Sequence, residues 1–382
     1  MNMKAKIIEN APQVLVPVGA ILLALLVGAV MLIALGADPV KAYQALVEGA
    51  FGNTNAVADT LVRATPLLFV GVGICISFRG GVLNIGGEGQ LIMGALAATV
   101  VALNMTWAPG WVIIILAMTS GFLGGAVWGG IAGYLKARLD VNEILSTIML
   151  NAIAVQLMNY LLAGPLIDPV QIERGTRIPE TARFPTAADL PRLVPTRLHL
   201  GFAIAILLAF VVWGLLWRTT IGYRIRAVGL NMNAARFAGI PVGTYAMMAL
   251  TLSGALAGLG GAVQVLGLNH RMFTDGSAAG FTGNAGFNGI VTALFGALHP
   301  LGTIPASIIF GGLLVGANKL QRAVQVPSSL ITALNGLVVI FVVATQIWRY
   351  RQIKRMDTSE NEPADKPTTP DEPAMKSTEV AP

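Results

Sequence analysis

Three polar side chains, Asn84, Glu88 and Gln90, sit in "GGVLNIGGEGQ" (Gly80–Gln90), a stretch with strongly apolar runs on both sides. What they offer is hydrogen bonding and one charge, placed where hydrocarbon tolerates neither loose backbone nor an unpaired carboxylate. Glycine lets the backbone bend, and the amides of Asn84 or Gln90 can satisfy peptide groups left open by a broken helix. Two readings stand side by side. In one, the break lines a path through the membrane. In the other, Arg79 and Glu88 pair and hold two tightly packed helices together.

Three further segments carry polar groups of this kind. "VNEILSTIMLNAIAVQLMNY" (Val141–Tyr160) opens with Asn142, suited to a helix N-cap, and Glu143, suited to the positive end of the helix dipole. Asn151 lies about 12 Å further along the axis, where it either bonds a neighbouring helix or faces a pathway. "GFTGNAGFNGIVTALFGALHPLG" (Gly280–Gly302) sets Asn284 and Asn288 among glycines with Phe281, Phe287 and Phe295. A broken, cavity-lining helix there would put aromatic faces beside amides, which suits a flat polar ligand; plain packing is the other reading. "WRTTIGYRIRAVGLNMNAARFAGIP" (Trp217–Pro241) holds four arginines and no acid. Asn231 can cap a short helix there, and Gly239-Ile240-Pro241 stops it. Such a helix docks into a groove on an acidic partner or rests on lipid phosphates.

The elements that must position these groups are membrane helices. Of 382 residues, 55% are hydrophobic and only 12% charged, against about 25% charged in a soluble domain. Val14–Ala37, Trp111–Leu135 and Leu330–Trp348 are uncharged runs long enough for a hydrocarbon core of about 30 Å. The first run is longer than a signal-peptide core of about 7–15 residues and is expected to stay as an uncleaved helix. The lone Cys75 excludes an intrachain disulfide, and histidines at 199, 270 and 299 have no metal-site spacing.

The net charge of +6 sits in clusters beside apolar runs. That pattern marks cytoplasmic loops rather than nucleic-acid binding. With Lys4 and Lys6, Lys136–Glu143, the arginine-rich loop (218–243) and "WRYRQIKR" (Trp348–Arg355) placed inside, the chain makes about ten crossings with both termini cytoplasmic. Asp38–Asn53 becomes an outer surface helix, and Gly164–Arg197 an exposed outer loop. One of the runs flanking His299-Pro300 is a candidate re-entrant segment. Gly121, Gly125, Gly129 and Gly133, with Gly254/Gly258 and Gly312/Gly316, form four-residue stripes that let helices approach closely. The expected organisation is an all-α polytopic membrane domain over 1–356, with some helices discontinuous, and a Pro-rich, acidic, disordered tail over 357–382.

Taken in order, the four segments resemble permease subunits of ABC importers of the branched-chain-amino-acid, ribose and nucleoside family. "FRGGVLNIGGEGQLIMGALAA" (Phe78–Ala98) is similar to that family's FNIGxEGQ signature, except that Leu83 replaces the usual Phe. "VNEILSTIMLN", "TTIGYRIRAVGLNMNAARFAGI" and "GFNGIVTALFGALHPLG" resemble its later signatures, the last typical of the nucleoside branch. The resemblance implies that Gly222, Arg226, Gly229, Asn231, Ala234, Ala235, Gly239 and Ile240 form a coupling helix gripped by an ATPase. It also implies that Asn84, Glu88, Gln90, Asn151 and Asn288, joined by Asn284 and Phe287 from the reading above, lie near the pathway. The chain has no GxxxxGK[ST] and no Gly-Lys dipeptide, so ATP and Mg would be held by a separate ATPase subunit and no cofactor by this chain. The other implied partners are a second, related permease subunit and an extracytoplasmic substrate-binding protein, in a bacterial cytoplasmic (inner) membrane.

The expected function is therefore ATP-driven nucleoside import by a chain that is not itself an enzyme. A ribose or simple-sugar permease is the alternative within the family. An ion-coupled secondary transporter using Glu88 is the alternative outside it, and a passive channel is a third class.

Overall fold

The computed structural model describes residues 19 and 22–327, with 333, 336, 337, 340 and 341 beyond them. Most of the final apolar run near 329–348, the basic Trp348–Arg355 cluster and the expected tail 357–382 lie outside the described residues.

The chain enters through α1 (Leu22–Ala34) and α2 (Pro39–Phe51). Asp38 caps α2, accepting from the Val40 and Lys41 amides, and Pro39 occupies the first helical position, where a missing N–H costs nothing. Then come α3 (Thr54–Arg79), α4 (Gly87–Asn104), α5 (Gly110–Leu139) and α6 (Glu143–Ala163). After the short α7 (Pro169–Glu173) follow α8 (Gly201–Arg218), α9 (Thr220–Leu230) and α10 (Met232–Phe237). The chain continues with α11 (Val242–Gln264), prolonged by a π-turn, then α12 (Ala278–Thr282), α13 (Ala285–Phe295) and α14 (Pro300–Val324).

Six of the described helices are long and apolar enough to cross a bilayer: α3, α5, α6, α8, α11 with its extension, and α14. The architecture is all-α and polytopic; among the described residues these six are joined by the shorter apolar helices α1 and α13, and most of the last expected crossing lies outside the described residues. Of the two runs flanking His299-Pro300, the first is the shorter, α13. Gly296 ends it after eleven helical residues, which reach only about 16 Å.

α3 and α11 form the buried centre, while α5 and α6 expose most of their apolar side chains. The glycine stripes explain how α5 and α11 meet. A Cβ added at Gly125 would come within 2.1 Å of the Gly254 carbonyl, and one at Gly258 within 2.4 Å of the Gly121 carbonyl. Nothing larger than hydrogen fits between these backbones, as expected for packing that lipid does not drive hydrophobically.

Two surface expectations change. α2 is a helix as expected, yet it packs its alanine face (Ala42, Ala45, Ala50) inward. Lys319 of α14 pairs with its Glu48 at 3.0 Å, and the Tyr43 hydroxyl donates to the Leu25 carbonyl on α1. The 164–197 loop is not simply exposed. Phe184 and Leu190 are buried, and the Thr181, Phe184 and Leu190 amides donate to carbonyls of Met272, His270 and Leu266. Its charges reach the same segment, with Glu180 on Arg271 at 2.8 Å and Asp189 on both Arg183 and His270.

Candidate functional site

α3 and α4 are separated by Gly80–Gly86, an interruption where the sequence placed one. Gly81 takes φ +74°, a left-handed conformation that a side chain would strain. From there the chain leaves regular structure with Val82 and Asn84 buried and only Leu83 exposed, so its inner peptide groups need partners other than water. Asn84 supplies them. Its Oδ1 accepts from the Gly86 amide at 2.9 Å and from Gln90 Nε2 at 3.0 Å. Its Nδ2 donates to Gln90 Oε1 at 2.9 Å and to Ser253 Oγ on α11 at 2.8 Å. Asn84 and Gln90 are thus an interlocked amide pair, buried to within 1%.

The first turn of α4 has no side-chain cap of its own. Asn151 of α6 provides one across 62 residues of chain: its Oδ1 accepts from the Gly89 amide at 2.8 Å, and its Nδ2 donates to the Ile85 carbonyl at 2.9 Å. α13 starts the same way. Asn284, in the left-handed region at φ +61°, makes no capping bond. The cap comes instead from Glu88, whose Oε1 accepts from the Phe287 amide at 3.1 Å.

The two helix N-termini meet face to face. A Cβ at Gly286 would lie 2.3 Å from the Glu88 nitrogen, and one at Gly87 would lie 3.1 Å from the Gly286 Cα. Both ends carry the positive pole of a helix dipole, and the Glu88 carboxylate lies where those poles converge. On the open side of the junction Phe287 is 47% exposed; Asn284 is also exposed and Asn288 is half-buried. Phe281 is buried and Phe295 packs edge-on against Phe310.

The Arg79–Glu88 pair does not form. Arg79 donates from Nε to the Leu298 carbonyl at 2.6 Å and from Nη2 to the Ala297 carbonyl at 3.4 Å. Its guanidinium also lies over the Trp217 ring at 4.8 Å. Ala297 and Leu298 both have positive φ, a turn that faces their carbonyls toward this cation. A guanidinium is satisfied by carbonyls and an aromatic face as well as by a carboxylate.

Trp217 links this corner to the arginine-rich segment. Arg226 lies over the same ring at 5.5 Å and donates to the Leu216 carbonyl at 3.0 Å. Gly222 and Gly229 are packing positions: a Cβ would come within 2.0 Å of the Leu215 carbonyl at the first and of the Arg79 carbonyl at the second. α9 therefore touches the break directly. Asn231 caps α10, accepting from the Asn233 and Ala234 amides at 3.0 Å. Gly239, at φ +75°, ends it, followed by the partly buried Ile240. Ala234 faces outward, whereas Ala235 is buried at 4%. Leu230 at 87% and Phe237 at 94% exposure leave an apolar tip with no cover. Sequence reasoning missed Ser253 and Trp217; only the aromatic character of Trp217 beside arginines was a usable signal.

Residues 56–343 match the family described as "branched-chain amino acid transport system / permease component". Relatives include the guanosine ABC transporter permease protein NupP of Bacillus subtilis, 34% identical over 90% of this chain and 97% of that protein. The glucose ABC transporter permease protein of Haloferax volcanii is 34% identical over 91% of this chain and 92% of its own length. The nucleoside ABC transporter permease protein NupB of Lactococcus lactis is 29% identical over 86% and 90%.

Proposed function

Because the chain belongs to the branched-chain amino acid transport system permease family, and is thus a multi-pass ABC-importer permease subunit that forms a translocation pathway, we propose that it passes nucleosides. Relatives at equal identity are named for guanosine and for glucose, so identity alone does not choose between them. The observation that favours a nucleoside is the open side of the junction: Phe287, exposed at the N-terminus of a half-length helix, with Asn284 and Asn288 beside it. An aromatic face takes a planar base by stacking, and flanking amides take its polar edge. Discontinuous helices whose N-termini point at a common place are a recurrent way to build a solute site inside a membrane. A simple sugar is the second reading, carried by the glucose permease relative.

In this reading the arginine-rich end is cytoplasmic, by the positive-inside rule, and both termini share that side of a bacterial inner membrane. The permease domain extends to about residue 356, with 357–382 a cytoplasmic tail. α10, with Asn231, Ala234, Ala235, Gly239 and Ile240, is the coupling helix, and the apolar tip made by its Phe237 with Leu230 at the end of α9 is the face gripped by the ATPase. Gly222, Arg226 and Gly229 transmit rather than touch. Movement of α9 reaches the break through Gly229 against Arg79 and through the Arg226–Trp217–Arg79 stack. Nucleotide-driven motion would then reposition the junction of Asn84, Glu88, Gln90 and Asn151. A second permease subunit and an external binding protein complete the machine.

The test is uptake of labelled guanosine or inosine by cells producing the complete transporter, competed with unlabelled nucleosides or glucose. Nucleosides should compete and glucose should not; the reverse would assign the sugar. In the same assay Ala234→Trp, which enlarges an exposed position, should cut uptake at least about tenfold with membrane abundance unchanged. Ala235→Trp is a poorer probe, because that side chain is buried.

A further inference from the structure

A second polar cluster lies away from the junction. A small cavity between α3, α11 and the start of α8 is lined by Arg63, Thr65, His199 and Gln264 among apolar residues. Its polar groups are not used up. Gln264 is 8% exposed; its Nε2 donates to the Phe281 carbonyl at 2.6 Å, while its Oε1 is buried with no hydrogen-bond partner. Arg63 has neither a carboxylate nor a hydrogen-bond acceptor among the described residues, although Asp59 stands one helical turn away. Its guanidinium rests against Gly283, where a Cβ would come within 2.6 Å of Nη2. His199 accepts from the Gly201 amide at Nδ1 (3.2 Å), which puts its ring proton on Nε2. Packing against Gly201 and Gly267 fixes the ring. Thr65 is already committed to the Leu61 carbonyl.

A buried amide oxygen without a partner costs about 1–3 kcal/mol, and a half-buried guanidinium with no acceptor is costly as well. Such groups are retained where something else completes them. The cavity admits only one or two water-sized groups, so it takes the edge of a solute and not the whole of one. Its position suits a station on a route. Asp59 and Arg197, one turn and two residues away, line a wide cleft at the end of the bundle opposite the arginine-rich loop. On its other side the cavity abuts Phe281 and Gly283, which lead into α13 and the Glu88 junction.

We propose that Arg63, His199 and Gln264 form a recognition station that holds an uncharged solute edge bearing a carbonyl beside an N–H, the amide edge of a nucleobase. The carbonyl takes hydrogen bonds from the Arg63 guanidinium and His199 Nε2, and the N–H donates to Gln264 Oε1. The free acceptor on Gln264 turns away an anion, which Arg63 alone would attract. The station rests on the nucleoside reading above and deepens it by naming the part of the solute that is read.

The test compares uptake of inosine, which has this edge, with purine riboside, which lacks the carbonyl and N–H but shares the ribose. Cells produce the complete transporter with this chain unaltered, as Gln264→Leu, or as Arg63→Lys. Membrane abundance is measured in parallel. Loss of a paired polar contact predicts a fall of about tenfold in the inosine to purine riboside uptake ratio for both variants. Arg63→Lys serves where Gln264→Leu fails to accumulate, since it keeps the charge and removes the planar fork. An equal loss for both solutes would mean that these residues act only on packing, and would overturn the station. An unchanged ratio would mean that the cavity holds only water; that too would overturn the station, while leaving nucleoside transport intact. No uptake of either nucleoside by the unaltered transporter would overturn the nucleoside reading and the station together.

Discussion

The junction and the cavity are both small sets of polar side chains buried among apolar helices, but their hydrogen bonds differ. At the junction Asn84, Gln90 and Asn151 spend their donors and acceptors on each other, on Ser253 and on the broken backbone. In the cavity Arg63 and the Gln264 oxygen are left over. Saturated groups hold a shape, and unsaturated ones await a partner. Glu88 stands between the two cases: one carboxylate oxygen caps α13 while Oε2 has no partner. Changes at the junction should therefore damage the fold first, and changes in the cavity should damage discrimination first.

The largest effect is expected at Gly286. A valine there would drive its Cβ to within 2.3 Å of the Glu88 nitrogen and 2.7 Å of the Gly87 carbonyl carbon, both backbone atoms. Neither can move without parting the two N-termini, so overpacking of this kind should exceed the usual cost of about 1–3 kcal/mol. Gly286→Val is expected to lower membrane abundance at least about tenfold, read by immunoblot against Gly214→Val on α8, where an added Cβ meets nothing within 4 Å, as a control for handling. Normal abundance with normal uptake would show that the junction is looser than its contacts imply, and the contrast with the cavity would dissolve.

A smaller effect is expected from Glu88→Gln, and it separates two mechanisms. The glutamine oxygen can still accept from the Phe287 amide, so the cap on α13 survives. For an ATP-driven permease the change should alter nucleoside uptake by no more than about threefold, whereas Glu88→Leu should lose the cap and about 0.5–2 kcal/mol of stability with it. For an ion-coupled carrier using Glu88, the glutamine variant should abolish uptake. Abolished uptake at normal abundance would therefore move the weight to the carrier.

What can be read in advance follows from how local each interaction is. The α3–α4 interruption is legible because its glycines and polar residues are contiguous, and the Asn142 and Asn231 caps because a cap and its helix are neighbours in sequence. Asn151 is legible as a group in need of a partner. That it caps α4, and that Glu88 caps α13 from 199 residues away, depends on packing no local pattern encodes. The Arg79–Glu88 pair fails for a related reason: proximity in sequence suggests it, but Trp217 and the 297–298 carbonyls take the arginine. Arg63 does carry a signal, a charge inside the apolar stretch that becomes α3, which the length of that stretch as a crossing masks. The short runs around His299-Pro300 partly foreshadow the half-length α13.

The smallest effect concerns His199 and is invisible at neutral pH. Burial disfavours its imidazolium and nearby His270 adds repulsion, so its pKa is pushed down to about 4. An unfolded chain takes up this proton near about 6.5. Between those values the unfolded state binds more protons than the folded one, so stability falls as pH drops from about 6.5 toward about 4 and is unaffected by this group above that range. The purified transporter should melt at the same temperature at about pH 7 and pH 8, and a few degrees lower at about pH 5. His199→Gln stays neutral throughout, so the part of the acid slope due to this residue should vanish while slopes from carboxylates remain. An identical acid slope in the variant would mean that His199 is protonated in the folded state. Its Nδ1 would then be unable to accept from Gly201, and the tautomer on which the cavity's donor set depends would be lost.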